Sequence, residues 1–347
     1  MKRCFILLAV SLLLSRYEVR SSRYEVRGSR YEDSITSAKT TLAPRTSNLV
    51  PRTSYLVPRT SNLVPRTILL FTGDLLLDRG VRRVIERRGA DALFSSGIDS
   101  LFATCHAVVA NLECPVTHIK APVQKRYIFR GDPEVLPVLK RHGITHLNLC
   151  NNHSIDQGRE GLTDTRRNIQ QAGMTPFGAG RNMQEAAQPL LLTEQPRRVW
   201  LLTSLRLALE NYAYLPDQPC VSQEPMDSLL KRVATLRRKD PRAVIIVSLH
   251  WGGEHTLQPI PRQRLDAHRL IRAGADALIC HHTHTLQTVE HYQGRPIYYS
   301  IGNFIFDLQK PVNTRAAVVK ITVGSNTVKA QTIPIDIRRC VPYIATQ

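Results

Sequence analysis

Short, predominantly apolar runs alternate with longer amphipathic stretches along the chain from about residue 67 to residue 280. Runs rich in Val, Ile and Leu are typical of strands that are covered on both faces, as in a largely parallel sheet between helices. We therefore predict strands at 68–72, 107–110, 144–150, 199–202, 243–249 and 277–280.

The stretches between these runs have the apolar spacing that favours amphipathic helices. Helices are predicted at 133–141, 159–172, 226–239 and 262–273, and Gly143, Gly173 and Gly274 mark three of their ends. The tail is rich in strands instead, at 287–292, 296–300, 316–323 and 328–335. This order predicts one α/β domain over residues 67–347, with mixed sheets flanked by helices and a second, largely antiparallel sheet formed by the tail.

The N-terminal stretch has a different pattern. Lys2 and Arg3 precede an apolar run at 5–14, which is typical of the start of a signal peptide but too short to span a bilayer as a helix. Two seven-residue repeats follow, with Ser-Arg-Tyr-Glu units from Ser15, Ser22 and Ser29 and Pro-Arg-Thr units from Pro44, Pro51, Pro58 and Pro65. The proline in every unit of the second repeat excludes a coiled coil.

These features predict a signal-like hydrophobic segment over residues 1–14 and a disordered heptad-repeat linker over residues 15–66. Two interpretations of the segment stay open. If it directs export, the protein is exported or associated with the membrane of the cell envelope. If it arises from an upstream start site, the domain is cytoplasmic.

The formal net charge of +19 is unevenly distributed. Residues 1–67 carry twelve Lys or Arg against four acids, so eight of the nineteen charges belong to the N-terminal stretch. The remaining excess of eleven favours polyanionic partners such as phosphoesters, polyacids or anionic lipid heads, although a solvated basic face would give the same count. Nucleic acid is not expected, because aromatic residues make up only 6% of the chain and no basic stripe contains them.

Five polar islands with metal-ligand side chains follow or adjoin apolar runs. They are Gly73-Asp74, Asn111-Leu112-Glu113, Asn151-Asn152-His153, His250-Trp251-Gly252 and His281-His282-Thr283-His284. Donors placed just past the carboxyl ends of several strands gather oxygen and nitrogen atoms at one rim of a sheet. The islands together predict a metal-centred hydrolytic site.

Each island also has a purely structural interpretation. Asp74 follows a glycine that lets the backbone turn sharply, and it could simply cap that turn. Asn152-His153 could satisfy loop backbone and pack. Glu113 is harder to explain without a cation, because an unpaired acid at the end of an apolar strand is costly to bury. The pair His282 and His284 is the strongest signal, since alternate residues of a strand point to the same side.

The seven cysteines form no recognisable framework. Cys114, Cys150 and Cys280 lie next to three of the islands, so thiolate ligation is one interpretation. A small buried side chain at a strand end is the favoured interpretation.

The ordered islands, extended by Gly253-Glu254 and by Tyr299-Ser300-Ile301-Gly302-Asn303-Phe304, resemble the capsule (poly-gamma-glutamate) synthesis proteins of the CapA type. The resemblance covers about residues 67–310. That family is similar to the calcineurin-like metallophosphoesterases. The resemblance implies an α/β fold, a metallophosphatase-like four-layer αββα sandwich of mixed sheets, and one or two divalent metal ions (Mn, Fe, Zn or Mg).

The resemblance also implies a role for individual residues. Asp74 and His284 would bind a first metal, and Glu113 would bridge both metals. The ligands implied for the second metal are Asn152, His250 and His282. His153 would not bind metal but would lie over the phosphoryl group and steady or protonate the leaving oxygen.

Two departures from the superfamily pattern concern the first metal. Leu76 stands where the superfamily has a histidine, and the bridging acid is Glu113 rather than an aspartate. The first metal is then either weakly held or completed by Asp78, Glu254 or water. The candidates to bind an anionic substrate through a guanidinium are Arg79, Arg130 and Arg262. Further candidates for contact with the substrate are Glu254 and Asn303.

Three functions compete on this basis. The leading hypothesis is a metal-dependent phosphoester hydrolase that acts on an anionic cell-envelope or polymer-linked substrate. The alternative is a non-catalytic accessory of capsule or polyglutamate assembly and export, which holds a polyanion beside capsule-synthesis machinery at the membrane. A nucleic-acid binder is suggested by charge alone.

Overall fold

A computed structural model describes residues 66–210 and 212–346 of the chain. The predicted hydrophobic segment at 1–14 and all but the last residue of the predicted linker at 15–66 lie outside the described residues. Those two predictions, and the domain boundaries built on them, stay predictions.

The strands cover most of the predicted apolar runs. They are β1 (Arg66–Leu75), β2 (Ala107–Leu112), β3 (His146–Asn148), β4 (Thr175–Phe177), β5 (Ala179–Gly180), β6 (Leu190–Thr193), β7 (Val199–Leu205), β8 (Cys220–Val221), β9 (Val244–His250), β10 (Ala277–Ile279), β11 (Val289–Tyr292), β12 (Arg295–Tyr298), β13 (Asn303–Ile305), β14 (Arg315–Gly324), β15 (Val328–Arg338) and β16 (Val341–Ile344).

The helices fall mainly in the amphipathic stretches. They are α1 (Arg79–Arg88), α2 (Ser96–Phe102), α3 (Leu136–Arg141), α4 (Gly158–Gln171), α5 (Met183–Ala186), α6 (Met226–Lys239), α7 (Pro261–Ala273) and α8 (Pro311–Thr314), with 3₁₀ turns at Ala90–Leu93 and Pro133–Val135. Among the described residues, no helix combines the length and apolar character needed to cross a membrane.

The first sheet has the order β16-β15-β14-β1-β2-β3-β4, and β13 pairs with the end of β1. Strands β1 to β4 run parallel, whereas β14, β15 and β16 continue the sheet in antiparallel fashion from β1. The second sheet has the order β11-β12-β10-β9-β7-β6. Its four central strands are parallel, and β6 and β11 are antiparallel edges.

Three apolar clusters separate the layers. Leu69, Phe71 and Val109 of the first sheet pack between the sheets with Ile246 and Ile279 of the second. The outer face of the first sheet packs with buried residues of α1 to α4, and that of the second with α6 and α7. Burial on both faces explains the uninterrupted apolar runs, since every residue of β9 is buried. The predicted four-layer αββα sandwich of mixed sheets is confirmed.

The tail differs from the prediction, because it does not form a sheet of its own. Strands β11 and β12 add to β10 in the second sheet, while β14 to β16 add to β1 in the first. A strand gains a full ladder of hydrogen bonds by joining the free edge of an existing sheet. The tail therefore extends one side of each sheet, and β16 and β11 become the outer strands there.

Candidate functional site

The polar islands meet at one rim of the sandwich, at the carboxyl ends of β1, β2 and β9 and in the loops after β3 and β10. Strand β1 is parallel to β2 in the first sheet, and β9 is parallel to β10 in the second. Because the sheets are stacked, the loops that leave these strands bring side chains from both sheets together. Two groups of potential metal ligands result, and they share one carboxylate.

Asp74, Glu113 and His284 form the first donor group, in which one ligand atom from each lies within 4.8 Å of the others. His284 Nδ1 is 3.3 Å from Asp74 Oδ2, and His284 Nε2 is 3.8 Å from Glu113 Oε1. Two oxygens and an imidazole nitrogen suit a divalent cation of the Mn, Fe, Zn or Mg kind.

Glu113, His250 and His282 form the second donor group, again with ligand atoms within 4.8 Å. His250 Nε2 lies 3.1 Å from His282 Nδ1 and 3.6 Å from Glu113 Oε1. Two imidazole nitrogens on a tetrahedral metal at about 2.0–2.1 Å would be roughly 3.3 Å apart, close to this separation. The Asn152 amide oxygen, 2.8 Å from His250 Nε2, adds a fourth donor.

Glu113 supplies the clearest test of whether these residues fit a metal. Its side chain is fully buried, and neither carboxylate oxygen has a hydrogen-bond partner among the described residues. Burial and the neighbouring charge of Asp74 raise the pKa of Glu113 well above its usual value. An ionised carboxylate in this place needs a cation beside it, and the shared position of Glu113 in both donor groups fits that requirement.

The pKa values of the histidines differ between the two donor groups. Burial and the neighbouring His282 lower the pKa of His250 well below normal, and burial and His284 lower that of His282 to about 3. Both rings are thus neutral at pH 7, the form that binds a metal. His284 differs: burial alone would lower its pKa, but Glu113 and Asp74 raise it to about 9.

Asp74 completes this picture of the first donor group. Burial alone would raise its pKa, but the hydrogen bond of His284 and the charges of His281 and His284 hold it below the usual value. The first donor group therefore favours a positive charge between the carboxylates of Asp74 and Glu113. In the metal-free chain the His284 proton supplies that charge, and a metal ion would take its place.

Gly73 acts differently from the prediction that it lets the backbone turn before Asp74. Strand β1 continues to Leu75, with irregular register on either side of Asp74. A Cβ at position 73 would lie 2.1 Å from the backbone oxygen of Gly302. Glycine is required because the chain at Gly302 passes directly over β1, and the local bulges turn the Asp74 side chain to the rim.

The prediction that strand alternation points His282 and His284 to the same side is also wrong. Strand β10 ends at Ile279, before either residue. Both adopt positive φ angles, 99° for His282 and 55° for His284, so a strained bend rather than strand alternation brings the rings together. The preceding His281 points elsewhere, with Nε2 3.1 Å from the Thr72 oxygen.

Asn303 contacts the His284 ring from the interior of the protein. It is fully buried, and its Oδ1 is 2.9 Å from His284 Nδ1. A proton on Nδ1 bound to this amide leaves Nε2 free to face Glu113. Asn303 is therefore placed to orient His284, and its contact with substrate stays a prediction. Asn111 Nδ2 similarly donates to Asp74 Oδ1 at 2.8 Å.

His153 stands beside the donor groups and is held from behind by a charged pair. Its Nδ1 is 2.8 Å from Asp156 Oδ2, and the other oxygen of Asp156 accepts from Lys125 Nζ at 2.8 Å. Lys125 also donates to the Asn152 backbone oxygen at 3.0 Å. Burial lowers the pKa of His153, although Asp156 opposes the shift. With Nδ1 engaged, Nε2 is the nitrogen left for a substrate.

A small cavity of about 100 Å³ opens over His153 and His284. Arg79 and Glu254 line it together with Tyr127, Phe129, His255, Phe306 and Leu308. The Arg79 guanidinium lies 4.8 Å from the centre of the Phe129 ring, and it is paired with Asp307. The structure thus brings two of the predicted substrate-binding residues, Arg79 and Glu254, to the same cavity as His153.

Three other candidates, and Leu76, lie outside the donor groups. Asp78 caps α1 by accepting from the Arg79 backbone N–H at 2.7 Å, and it also accepts from the Arg130 backbone N–H; it belongs to neither donor group among the described residues. Leu76 is fully buried in the apolar core. The Arg130 side chain pairs with Asp132, and Arg262, which is exposed on α7, pairs with Asp266. Neither arginine lines the cavity.

The favoured interpretation of the cysteines agrees with the structure. Cys114, Cys150 and Cys280 are fully buried and belong to neither donor group among the described residues. Burial raises the pKa of all three thiols, to about 12 for Cys150 and Cys280. They are neutral packing side chains rather than thiolate ligands.

Sequence reasoning missed several residues that shape the site. Asp156 follows His153 by three residues, a spacing that could have indicated its hydrogen bond. Lys125 and Tyr127 come from the irregular segment between β2 and α3, where no periodic pattern predicted a function. His255 adjoins the island at 250–254 and could have been included with it. Its Nδ1 lies 3.0 Å from the Asn313 amide nitrogen.

The comparison with protein families assigns the chain. Residues 68–308 match the family described as bacterial capsule synthesis protein PGA_cap, and the chain belongs to this family. The chain is 30% identical over 276 residues to the PGA biosynthesis protein CapA of Bacillus subtilis, covering 78% of this chain and 72% of that protein. It is 30% identical over 290 residues to the capsule biosynthesis protein CapA of Bacillus anthracis, covering 80% and 69% respectively.

Two solved structures have more distant similarity. A hypothetical protein from Thermus thermophilus matches at a TM-score of 0.46 and 13% identity, over 77% of this chain and 99% of that one. The NAD nucleotidase NadN of Haemophilus influenzae matches at a TM-score of 0.45 and 9% identity, over 79% and 56%. Similarity at this level carries no conclusion about the reaction.

Proposed function

We propose that the protein is a metal-dependent phosphoester hydrolase that acts on an anionic substrate of the cell envelope or one linked to a polymer. The observation that carries the proposal is Glu113, whose two unpartnered oxygens lie between the donor groups of His250 and His284. A carboxylate shared in this way is suited to hold one or two divalent ions. Membership of a capsule synthesis family supports an anionic envelope substrate.

Divalent ions held by Asp74, Glu113 and His284, and by Asn152, His250 and His282, would supply Lewis-acid activation of water and of the phosphoryl oxygens. The chain itself provides positioning and proton transfer. Asp156 fixes the His153 ring through Nδ1, so that Nε2 faces the cavity. His153 steadies the leaving oxygen and, when protonated, donates its Nε2 proton to it.

The cavity lining supports binding of an anion. Arg79 presents its guanidinium between the rings of Phe129 and Phe306, which restrict its motion. Arg79 would bind a non-bridging phosphoryl oxygen, because a guanidinium that is oriented in advance loses little entropy on forming such a bond. Glu254 is exposed at the mouth, where its charge would disfavour deep entry of a second acidic group.

The test is hydrolysis of a generic aryl phosphate ester by the purified chain with Mn²⁺. The double variant Asn152→Ala, His153→Ala is the control, and we expect it to lose at least about a hundredfold in rate, since general acid–base groups contribute roughly 10²–10⁴. Wild-type hydrolysis that does not exceed the double variant would reject the proposal.

A second function is favoured by the incomplete first donor group. Leu76 is apolar and Asp78 is engaged by α1, so three protein donors remain for that metal. The alternative is a non-catalytic accessory of capsule assembly that holds a polyanion beside the synthesis machinery. It predicts salt-sensitive capture of the chain on immobilised poly-glutamate in the absence of hydrolysis, and salt-insensitive or absent capture would exclude it.

The place of action is part of the proposal. An envelope substrate requires that the domain reach the envelope, and the segment at 1–14 is the candidate for directing it there. Fractionation of cells that express the chain with and without residues 1–14 tests this. Equal distribution of the two forms would argue against export by that segment.

A further inference from the structure

A second, larger depression lies at the end of β7, the strand that pairs with β9. In the second sheet Leu205 of β7 pairs with His250 of β9, and the next backbone N–H, that of Arg206, donates to the His250 oxygen at 2.9 Å. The groove that starts at Leu205 and Arg206 has a volume of about 510 Å³. Its size lies in the range of ligand sites, and it begins one strand away from a proposed metal ligand.

Arg206 is the charged group of this groove that has no carboxylate partner. It is partly buried, and its Nη1 donates to the Glu224 backbone oxygen at 2.7 Å. Among the described residues, no carboxylate lies within ion-pair distance of it. The Glu224 carboxylate faces the other way and accepts two bonds from Arg232, at 3.0 and 3.2 Å. Arg206 is therefore a cation of the groove without a direct ion pair, and the carboxylates of Asp266 and Glu224 act on it only at longer range.

The rest of the groove is apolar and partly aromatic. Leu207, Leu209 and Pro225 line it with the rings of Tyr212 and Tyr214. Arg159 holds this wall in place, since it donates to the backbone oxygens of Pro219 and Ala213. A guanidinium at one end of an apolar groove selects ligands that carry a negative group on an apolar stem.

We propose that this groove is a subsite that binds a carboxylate or phosphate group of the substrate, carried on an apolar stem next to the bond that is cleaved. Charge complementarity at Arg206, and the backbone pairing that places Leu205 and Arg206 next to His250, support this occupant rather than a protein surface. The inference rests on the proposed function in one respect, because it assigns the groove to a substrate of that same site.

Binding of small probes to the full-length chain tests the subsite without turnover. After chelation of metal, the chain is titrated calorimetrically with glutarate and with phenyl phosphate, which carry the two anions on apolar stems. We expect saturable binding of at least one probe, and the probe that binds identifies the anion. Arg206→Gln should weaken that binding about tenfold or more, because a charge-assisted hydrogen bond is lost.

Two further variants make the result specific. Tyr214→Glu places a carboxylate beside the groove at a residue that is 49% exposed, so folding is preserved and anion binding should fall. Arg87→Gln removes the same charge from an exposed arginine of α1 outside the groove and should leave binding unchanged. Unchanged binding in both Arg206→Gln and Tyr214→Glu, or no saturable binding of either probe to wild type at millimolar concentration, would overturn the subsite.

Kinetics separate this inference from the proposed function. If the chain hydrolyses phosphoesters, Arg206→Gln should raise KM for an ester that carries a second anionic group and leave kcat nearly unchanged. KM for a plain aryl phosphate should not change. Absence of hydrolysis would reject the proposed function alone, since the metal-free titration still decides whether the groove binds anions.

Discussion

The same strands build two regions of opposite character, the layer between the sheets and the rim that holds the donor groups. Phe71 of β1 packs between the sheets, and Asp74 lies three residues further along. Ile246 of β9 is part of the same apolar layer, and His250 ends the strand at the rim. The layer gains stability from apolar burial, whereas the rim buries groups that water would solvate better.

The rim therefore contributes less to stability than the layer does. Glu113 is buried without hydrogen bonds, and His282 and His284 adopt backbone conformations that most residues avoid. Strain and unsatisfied groups of this kind are expected at functional sites. Substitutions in the layer should therefore lower the free energy of unfolding, whereas substitutions at the rim should mainly weaken metal binding.

The largest effect on stability is expected within the layer. Phe71→Ala should lower the free energy of unfolding by about 3–5 kcal/mol, because it leaves a cavity between the sheets. Phe71→Leu is the matched control and should lose less. Denaturant titration measures both. A loss below about 1 kcal/mol for the alanine variant would contradict the assigned role of this layer.

Glu113→Gln should act on the rim in the opposite sense. Without metal the variant should be about as stable as wild type, because burial raises the pKa of Glu113 and an uncharged amide of nearly the same shape replaces its carboxyl group. Its affinity for Mn²⁺ should fall by at least about a hundredfold, more than loss of an outer partner costs. Thermal unfolding with and without Mn²⁺ gives both values. A metal-free variant much less stable than wild type would show that Glu113 serves the fold.

Asn303→Ala should have a smaller effect on the same property. Loss of the amide that orients His284 should weaken metal binding about 10–100-fold. Gln309→Ala, an exposed change nearby in the sequence, serves as the control. Equal Mn²⁺ affinity for wild type and Asn303→Ala in equilibrium dialysis would exclude the orienting role.

His146, far from the rim at the start of β3, gives the smallest effect. Burial lowers its pKa from 6.5 to about 4. The unfolded chain therefore binds the proton first, and the stability that neutral His146 contributes is complete above pH 6.5 and is lost as the pH falls toward 4. His146→Asn should reduce the decline by about 1–2 kcal/mol, allowing for a partly exposed ring. An equal loss of the free energy of unfolding in both proteins between pH 6.5 and pH 4 would contradict the role of His146.

Much of this organisation could be predicted from the sequence. Strands buried on both faces have a continuous apolar pattern, so β1, β2, β7 and β9 were recognisable, and the polar residues that end them were conspicuous. The prediction that Glu113 would need a cation followed from its position alone. The convergence of the islands is likewise a consequence of stacked sheets whose donor-bearing loops meet at one rim.

Other features depend on contacts that no local pattern records. The requirement for Gly73 comes from the passage of Gly302 over β1, more than two hundred residues later. The bend at His282 and His284 is set by positive φ angles, and nothing in the composition of the segment predicts those. Lys125 reaches Asp156 from an irregular segment, where periodicity carries no information. The edges joined by the tail were equally undetermined.

Glu113 belongs to both groups of potential metal ligands, and anomalous diffraction from crystals grown with Mn²⁺ would locate any ion that it holds. We predict anomalous density within coordination distance of the Glu113 carboxylate, on the side of His250 and His282, with a second peak toward Asp74 and His284 if both ions bind. Crystals that contain Mn²⁺ but show no peak in contact with Glu113 would contradict the role of Glu113 as a shared metal ligand.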